Sequence, residues 1–552
     1  MKYLAFLLLV VSLYACQQSP EKATLLIVNA DIWTGNSEQP RAEAMAILGD
    51  KIMALGTTAE IGQYEGAATK RLDLQKSFVI PGLIDSHVHF ITGGQNLSSV
   101  QLRNAGSREE FIARIASYAA TLQPGEWILG GDWDHQLWGG ELPRKEWIDS
   151  VTRENPLLLN RLDGHMALAN SAALDFFGIT AATRFTAGEV WLGEDRQPTG
   201  LLKEDAYYQQ TSKVPAFTAV QEEDFAKAAM AYVASHGVTS VHDVNGFHDQ
   251  AVFERLKAKG ELITRIYSSI PLSQWQQLAT KIDTAGRGDE WLRIGGLKGF
   301  VDGSLGSHTA AFFDDYTDAP GERGYFVNKR EDLYEWILAA DDAELQTLIH
   351  AIGDSANHEL LNIFEQVAEK NGPRDRRFRI EHTQHLLKAD YARFGELGVI
   401  PSMQPYHAID DGRWAEEVIG PERIKSTYAF NSLLDAGADL AFGSDWFVAP
   451  PVPLLGIYAA VTRQTLDGAT PDGWVPEQKI TVEQALRAYT YGGAYASFEE
   501  DIKGTLEPGK LADFVVLDQN LLTIDPVNIK DAKVVSTFVG GQPVYEKEPN
   551  RN

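Results

Sequence analysis

The chain has 552 residues, 44% of them hydrophobic, a formal net charge of -27 and a single cysteine. That size and composition describe a globular protein large enough for a barrel-sized domain with additions. The acidic balance excludes a sequence-independent grip on nucleic acid, which needs a basic face to displace counterions, and one cysteine leaves no internal disulfide to form.

The first residues read as an address. Lys2 precedes an apolar run from Leu4 to Leu13 that is too short to span a bilayer and ends in Leu13-Tyr14-Ala15-Cys16, the pattern of a secretory signal over residues 1–16. Cys16 follows a small residue as in a bacterial lipoprotein box. A lipidated Cys16 is therefore expected at the mature N-terminus of a cell-envelope protein facing the periplasm. Gln17 lacks the aspartate that often retains lipoproteins at the inner membrane, which leans towards the outer one. Membrane contact is expected only through that anchor.

Residues 21–78 carry short strand candidates, Leu25-Leu26-Ile27-Val28-Asn29, Ala44-Met45-Ala46-Ile47 and Lys51-Ile52-Met53-Ala54-Leu55-Gly56, and the far end answers with Ala512 to Asp518, Val534 to Gly541 and Pro543-Val544-Tyr545. One small β-sandwich domain built from 21–78 and 500–548 accounts for both, with 79–499 inserted between them.

Inside that span lie eight strand candidates: Val79–Phe90, Gly237–Val244, Thr264–Ile270, Ile294–Val301, Thr347–Ile352, Phe378–Thr383, Gly398–Gln404 and Asp439–Ser444. Strands alternating with helical stretches imply a parallel sheet, and eight such units predict an α/β fold, a (β/α)₈ TIM-like barrel. No Gly-x-Gly-x-x-Gly turn follows an early strand, which disfavours a dinucleotide-binding domain.

Active sites of such barrels sit at the C-terminal ends of the strands, and the polar residues fall there. In Val79-Ile80-Pro81-Gly82-Leu83-Ile84-Asp85-Ser86-His87-Val88-His89, side chains alternate, so Asp85, His87 and His89 share one face. Two imidazoles on one face can grip a cation. Lys298 lies in the fourth strand, His350 in the fifth, His382 closes the sixth and Asp445 follows the eighth. Taken singly, each has a plain alternative: His350 as a core histidine, Asp445 as a helix cap, Lys298 as an ion-pair partner, and His385 as a rival to His382.

Together the residues resemble the amidohydrolase superfamily, whose first barrel strand reads Pro-Gly-x-Ile-Asp-x-His-x-His. The resemblance implies metal ligation by His87, His89, Lys298, His350, His382 and Asp445, with one or two divalent ions, most plausibly Zn²⁺. It also implies a carbamylated Lys298 bridging them, which needs an uncharged and therefore desolvated amine. Asp445 would then serve as general base and acid in the hydrolysis of a C-N bond in an amide, formamide or cyclic amide. A mononuclear zinc deaminase of the same superfamily is the rival, weakened because those enzymes place a glutamate three residues after the strand-five histidine, where this chain has Gly353. A barrel that has lost catalysis and serves as a binding lipoprotein is the other alternative, and the full ligand set speaks against it.

A long insertion after strand one, about 93–230, holds Trp127, Trp133, Trp138, Trp147 and Trp191 and the phrase Asp163-Gly164-His165. With Lys298 to Leu305 and His350 to Asp354, these look like amidohydrolase family 3, the group similar to N-substituted formamide deformylases. Asp163, His165 and Trp133 are the expected substrate contacts on a lid over the barrel mouth, although most of the tryptophans fit a small core of the insertion itself. The expected partner is a small-molecule substrate, and a homodimer stays open.

Overall fold

The computed structural model describes residues 21–161, 166–185 and 188–548. Eight strands pair in parallel and in sequence order: Leu83–Val88, Val238–Asp243, Arg265–Pro271, Leu292–Phe300, Gln346–Ala351, Arg379–His382, Ile400–Met403 and Ala441–Phe442. Each overlaps one of the eight runs expected from the sequence. A parallel bridge from Val88 to Trp446 brings the segment after the last strand against the first, closing the (β/α)₈ barrel. Helices pack outside it, burying residues such as Leu360, Phe364 and Phe394 against strand residues such as Ile349 and Ile380. Among the described residues no helix is long and apolar enough to cross a membrane.

The run Val79–Phe90 is two strands rather than one. Phe78–Pro81 pairs antiparallel with Phe514–Leu517 and parallel with Asp31–Trp33 in a six-stranded sheet, and only Leu83–Val88 enters the barrel. The break is at Gly82, where a Cβ would meet Thr239 Oγ1 at 2.2 Å. Only glycine lets the chain pass this close to the second barrel strand. A four-stranded sheet of Leu25–Val28, Ala44–Leu48, Lys51–Gly56 and Lys70–Asp73 faces the six-stranded one. Ile27, Met45 and Ile47 from one sheet pack on Val79, Phe514 and Phe538 from the other, making a β-sandwich from both chain ends. Buried Arg265 at the start of the third barrel strand grips Asp513 through two hydrogen bonds of 2.6 and 2.9 Å, fastening sandwich to barrel.

The insertion has its own five-stranded sheet, formed by Ile128–Trp133, Leu157–Arg161, Met166–Ala169, Gly188–Leu192 and Pro198–Glu204. It ends before the helix Ala219–Ser235, which packs on the helix Phe90–Leu97 and leads into the second barrel strand.

Candidate active site

Parallel strands deliver all their C-terminal residues to one end of a barrel. There a cavity of about 440 Å³ is lined by His87, His89, Lys298, Phe300, Leu305, His350, His382, His407, Asp410, Asp411, Trp414, Asp445 and Val448, among others.

The first strand supplies more than its histidines. Asp85 is fully buried and accepts hydrogen bonds from Ser444 N (2.8 Å), Ser444 Oγ (2.5 Å) and His87 N (3.3 Å). It is a latch across the barrel seam. Gly443 makes that seam possible, because a Cβ there would lie 2.6 Å from His87 N. Burial pushes the Asp85 carboxyl up to about 7, against the pull of the Ser444 and His87 donors.

Three imidazoles share one arrangement. His87 Nδ1 donates to the Glu381 carboxylate in a very close contact, His89 Nδ1 lies 2.6 Å from Asn245 Oδ1, and His382 Nδ1 lies 2.8 Å from Gln404 Oε1. The Asn245 amide is oriented by its own donation to Asp249 at 2.9 Å. A carboxylate or amide oxygen has no proton to give, so each Nδ1 carries the hydrogen and each Nε2 keeps its lone pair. Burial holds two of these rings neutral, lowering His87 to about 4 with help from the Lys298 charge and His382 well below its ordinary value. Neutral imidazole with Nε2 free is the form that binds metals.

Asp445 completes the set. Its Oδ1 lies 3.3 Å from His89 Nε2 and 3.7 Å from His87 Nε2, and one donor atom from each of His87, His89 and Asp445 falls within 4.8 Å of the others. Burial alone would raise this carboxyl. The surrounding histidines His89, His87 and His407 outweigh it and hold the value at about 2. The backbone is strained at the same places: His382 and Asp445 adopt φ of 76° and 61°, in the left-handed region that side-chain-bearing residues enter at a cost.

Lys298 in the fourth strand is buried, with Nζ 3.1 Å from His87 Nε2. Burial draws its amine down to about 8, opposed by Glu381 and Asp445. His350 lines the cavity with its ring 4.4 Å from that of His382. Its Nε2 is 3.0 Å from the Gly303 carbonyl oxygen, so that nitrogen is the protonated one and Nδ1 keeps the lone pair. His385, the rival to His382, sits outside the cavity with Nδ1 2.9 Å from Thr427 Oγ1.

Trp133 is a correction. It is fully buried in the core of the insertion beside Leu157 and Leu168 and donates to the Leu159 carbonyl at 2.8 Å. A large aromatic in a segment with its own sheet is drawn into that sheet's core, so it is not available to a substrate. Asp163, His165 and Cys16 lie outside the described residues.

Several site residues escaped sequence reasoning. Arg379 is fully buried and donates to Glu381 Oε1 (2.8 Å) and the Ser86 carbonyl (2.7 Å), and its Nη1 lies 2.9 Å from His242 Nδ1. Burial would raise the Glu381 carboxyl, but Arg379 and His87 drive it far below the ordinary range. The signal was present: Arg379 and Glu381, two positions apart in the sixth barrel strand, share one of its faces. His407, four residues past the seventh strand in Gln404-Pro405-Tyr406-His407, stands on the helix Pro405–Asp411, beyond the strand end that marks the residues singled out above. Asp410, Asp411 and Trp414 follow it around the cavity.

A family model described as the amidohydrolase family matches residues 70–545. Protein LONG AFTER FAR-RED 3 of Arabidopsis thaliana is 39% identical over 95% of this chain and 92% of its own length. N-substituted formamide deformylase of Arthrobacter pascens is 26% identical over 95% of this chain and 98% of its own. The crystal structure of an uncharacterized metal-dependent hydrolase from Pyrococcus furiosus is 28% identical, covers 90% of this chain and all of its own, and superposes with a TM-score of 0.75. With the barrel and its rim of histidines in place, these matches over nearly the whole length establish that the chain belongs to the amidohydrolase family.

Proposed function

We propose that the protein hydrolyses a carbon-nitrogen bond of an amide, formamide or cyclic amide at the mouth of its barrel, with Asp445 as general base and then general acid. The observation that carries this reading is the convergence of His87, His89 and Asp445, with both imidazoles anchored through Nδ1 so that Nε2 is left as a donor. The likeness to a formamide deformylase supports the bond class.

The donor chemistry fits a divalent cation. Neutral imidazoles and a carboxylate are the ligands zinc prefers, with three protein ligands typical of a catalytic site. Such a cation, when bound, lowers the pKa of water from about 16 to about 7 and polarises a carbonyl. The chain's own residues supply the remainder. The Asp445 carboxylate is ionised and takes the proton of the attacking water, then returns it to the departing nitrogen. Glu381 and Asn245 hold the two imidazoles in their donor tautomers. The desolvated amine of Lys298 suits carbamate formation, which would add oxygen donors beside His87. The walls formed by Phe300, Leu305 and Trp414 would shelter an apolar substituent and limit water.

Deaminases of the superfamily typically carry a glutamate three residues after the strand-five histidine, here His350. A Cβ at Gly353 would lie 2.0 Å from the Ala311 carbonyl oxygen, and the neighbouring Asp354 carboxylate accepts from Phe313 N at 3.0 Å instead of lining the cavity. This weighs against deamination.

Turnover of a panel of N-substituted formamides and N-acyl compounds by the zinc-loaded protein tests the reading. Hydrolysis that falls by about 10²- to 10⁴-fold in Asp445→Asn agrees with it; a panel untouched by the parent while aminated heterocycles lose ammonia would replace it with the deaminase. We also propose lipid attachment at Cys16, checked by incorporation of labelled palmitate in the parent and its loss in Cys16→Ala.

A further inference from the structure

We infer that a cavity at the end of the barrel opposite the active site binds a phosphate group, held by the guanidinium groups of Arg287 and Arg293. The inference is independent of the proposed hydrolysis.

The cavity, of about 210 Å³, is lined by Tyr267, Arg287, Arg293, Gln346, Arg374 and Arg376. Arg293 is the second residue of the strand Leu292–Phe300 and pairs in register with Tyr267 of the third strand. Gln346 opens the fifth strand, and Arg374 and Arg376 precede the sixth. These are strand beginnings, whereas the His87, His89 and Asp445 group stands at strand ends.

Four arginines around one small cavity run against the character of a chain whose net charge is -27. Two of them are already neutralised. Arg374 and Arg376 share the buried Asp341 carboxylate, at 2.5 and 3.0 Å. Asp375, in the same wall, is held by Arg377 at 3.0 Å. The other two are not. Arg287 donates one N–H to the Glu344 carbonyl oxygen at 2.8 Å, and Arg293 makes no hydrogen bond or ion pair among the described residues. The exposed Glu344 side chain, also in the wall, pairs with neither. Gly295 lets Arg287 lie beside the phenol: a Cβ there would be 2.7 Å from Arg287 Nη1 and 3.5 Å from the Tyr267 hydroxyl.

Two like charges facing one cavity repel, and an anion between them turns repulsion into attraction. A guanidinium offers five N–H donors in a planar fork that matches the oxygens of phosphate. Here the forks come from the start of the fourth strand and from the segment before the sixth. A tetrahedral oxyanion presents oxygens in all those directions, whereas a carboxylate presents two in one plane. A bound phosphate would tie the two segments together and, by favouring the folded chain, raise its stability.

The test is calorimetric titration of the full, zinc-loaded chain with inorganic phosphate and with pyrophosphate, with acetate as the planar control. Arg293→Gln and Arg287→Gln should each weaken phosphate binding by about 10- to 100-fold, while Arg71→Gln, in the sandwich, should leave it unchanged. At a hundredfold excess of phosphate over its dissociation constant the thermal midpoint of the parent should rise by about 2 °C, and that of Arg293→Gln should not. Arg293→Lys keeps the charge and loses the fork. It stands in if circular dichroism shows the glutamine variant unfolded, with a loss of about 10-fold expected. Binding kept in His87→Ala and lost in Arg293→Gln agrees with the assignment; the converse places the anion at the barrel mouth and overturns it. A parent that takes neither phosphate nor pyrophosphate, or binds acetate equally well, also overturns it. Flotation with phosphatidylcholine vesicles carrying phosphatidic acid separates the sources of the group. A parent that floats while Arg293→Gln does not takes its phosphate from a lipid headgroup, and a parent that binds phosphate and stays behind takes a free one.

Discussion

The barrel mouth and the core of the insertion bury side chains to comparable depth for opposite reasons. In the insertion, Trp133, Phe111, Ile115 and Leu168 pack together, and the one polar group involved, the Trp133 indole, is matched by the Leu159 carbonyl at 2.8 Å. At the mouth, Arg379, Glu381 and His87 are equally hidden, yet they are charged or ionisable, and His382 and Asp445 take strained backbone conformations. Apolar burial gains free energy from every square ångström removed from water. Burial of ions costs free energy and persists only where partners and use justify it. Burial by itself therefore says little about function. A tryptophan on a loop-rich insertion read as a substrate contact and is a core residue, while an arginine on a barrel strand drew no notice and sits behind the site.

The comparison can be broken at either end. The largest expected effect is Asp445→Asn, which should lower kcat by about 10²- to 10⁴-fold on the best formamide or N-acyl substrate with the thermal midpoint nearly unchanged, measured by steady-state kinetics and calorimetry. A parallel Trp133→Ala should do the reverse, costing about 3–5 kcal/mol in denaturant unfolding while the folded fraction keeps its specific activity. If Trp133→Ala left stability alone and raised KM, the tryptophan would belong to the site after all.

Glu381→Gln sharpens the contrast, since it leaves Arg379 buried without its anion and His87 without its carboxylate. A stability loss of about 3 kcal/mol and a 10- to 100-fold weaker zinc affinity, read by competition with a chelator, are expected together. A loss of stability without a change in affinity would make the network purely structural.

The smallest effect concerns pH. Burial pushes Asp411 up to about 6, while the Tyr428 hydroxyl at 2.6 Å pulls the other way. Its folded value lies above the ordinary carboxylate value, so the folded protein binds the proton more tightly than the unfolded chain. That contribution is complete below about pH 4 and is lost as pH rises through about 6, at no more than about 1.4 kcal/mol per pH unit. The difference between unfolding free energies of the parent and Asp411→Asn, followed over that window, should show this slope and its sign.

Much of the architecture was legible because it rests on periodicity. Each barrel strand announced itself as an apolar run, and the strand-end rule then picked out His87, His89, Lys298, His350, His382 and Asp445, all of which line one cavity. What stayed hidden depends on partners distant in sequence. Asp85 looked like a third member of the His87 and His89 face, and its actual role as a latch to Ser444 needs residues 359 positions apart to meet. The division of Val79–Phe90 between two sheets follows from Phe514–Leu517 claiming Phe78–Pro81, which no local pattern reveals. His407 was missed because it stands on a helix rather than at a strand terminus, where the apolar run no longer points to it.

Hydrolysis at the His87, His89 and Asp445 group should depend on a metal held there. The most direct measurement is turnover of the best amide substrate by chelator-treated protein, with zinc added back in steps, for the parent and for His87→Ala. Activity that vanishes on chelation, returns in proportion to bound zinc in the parent and fails to return in His87→Ala is the predicted result. Full turnover in the stripped parent, or recovery in His87→Ala equal to that of the parent, would contradict the account.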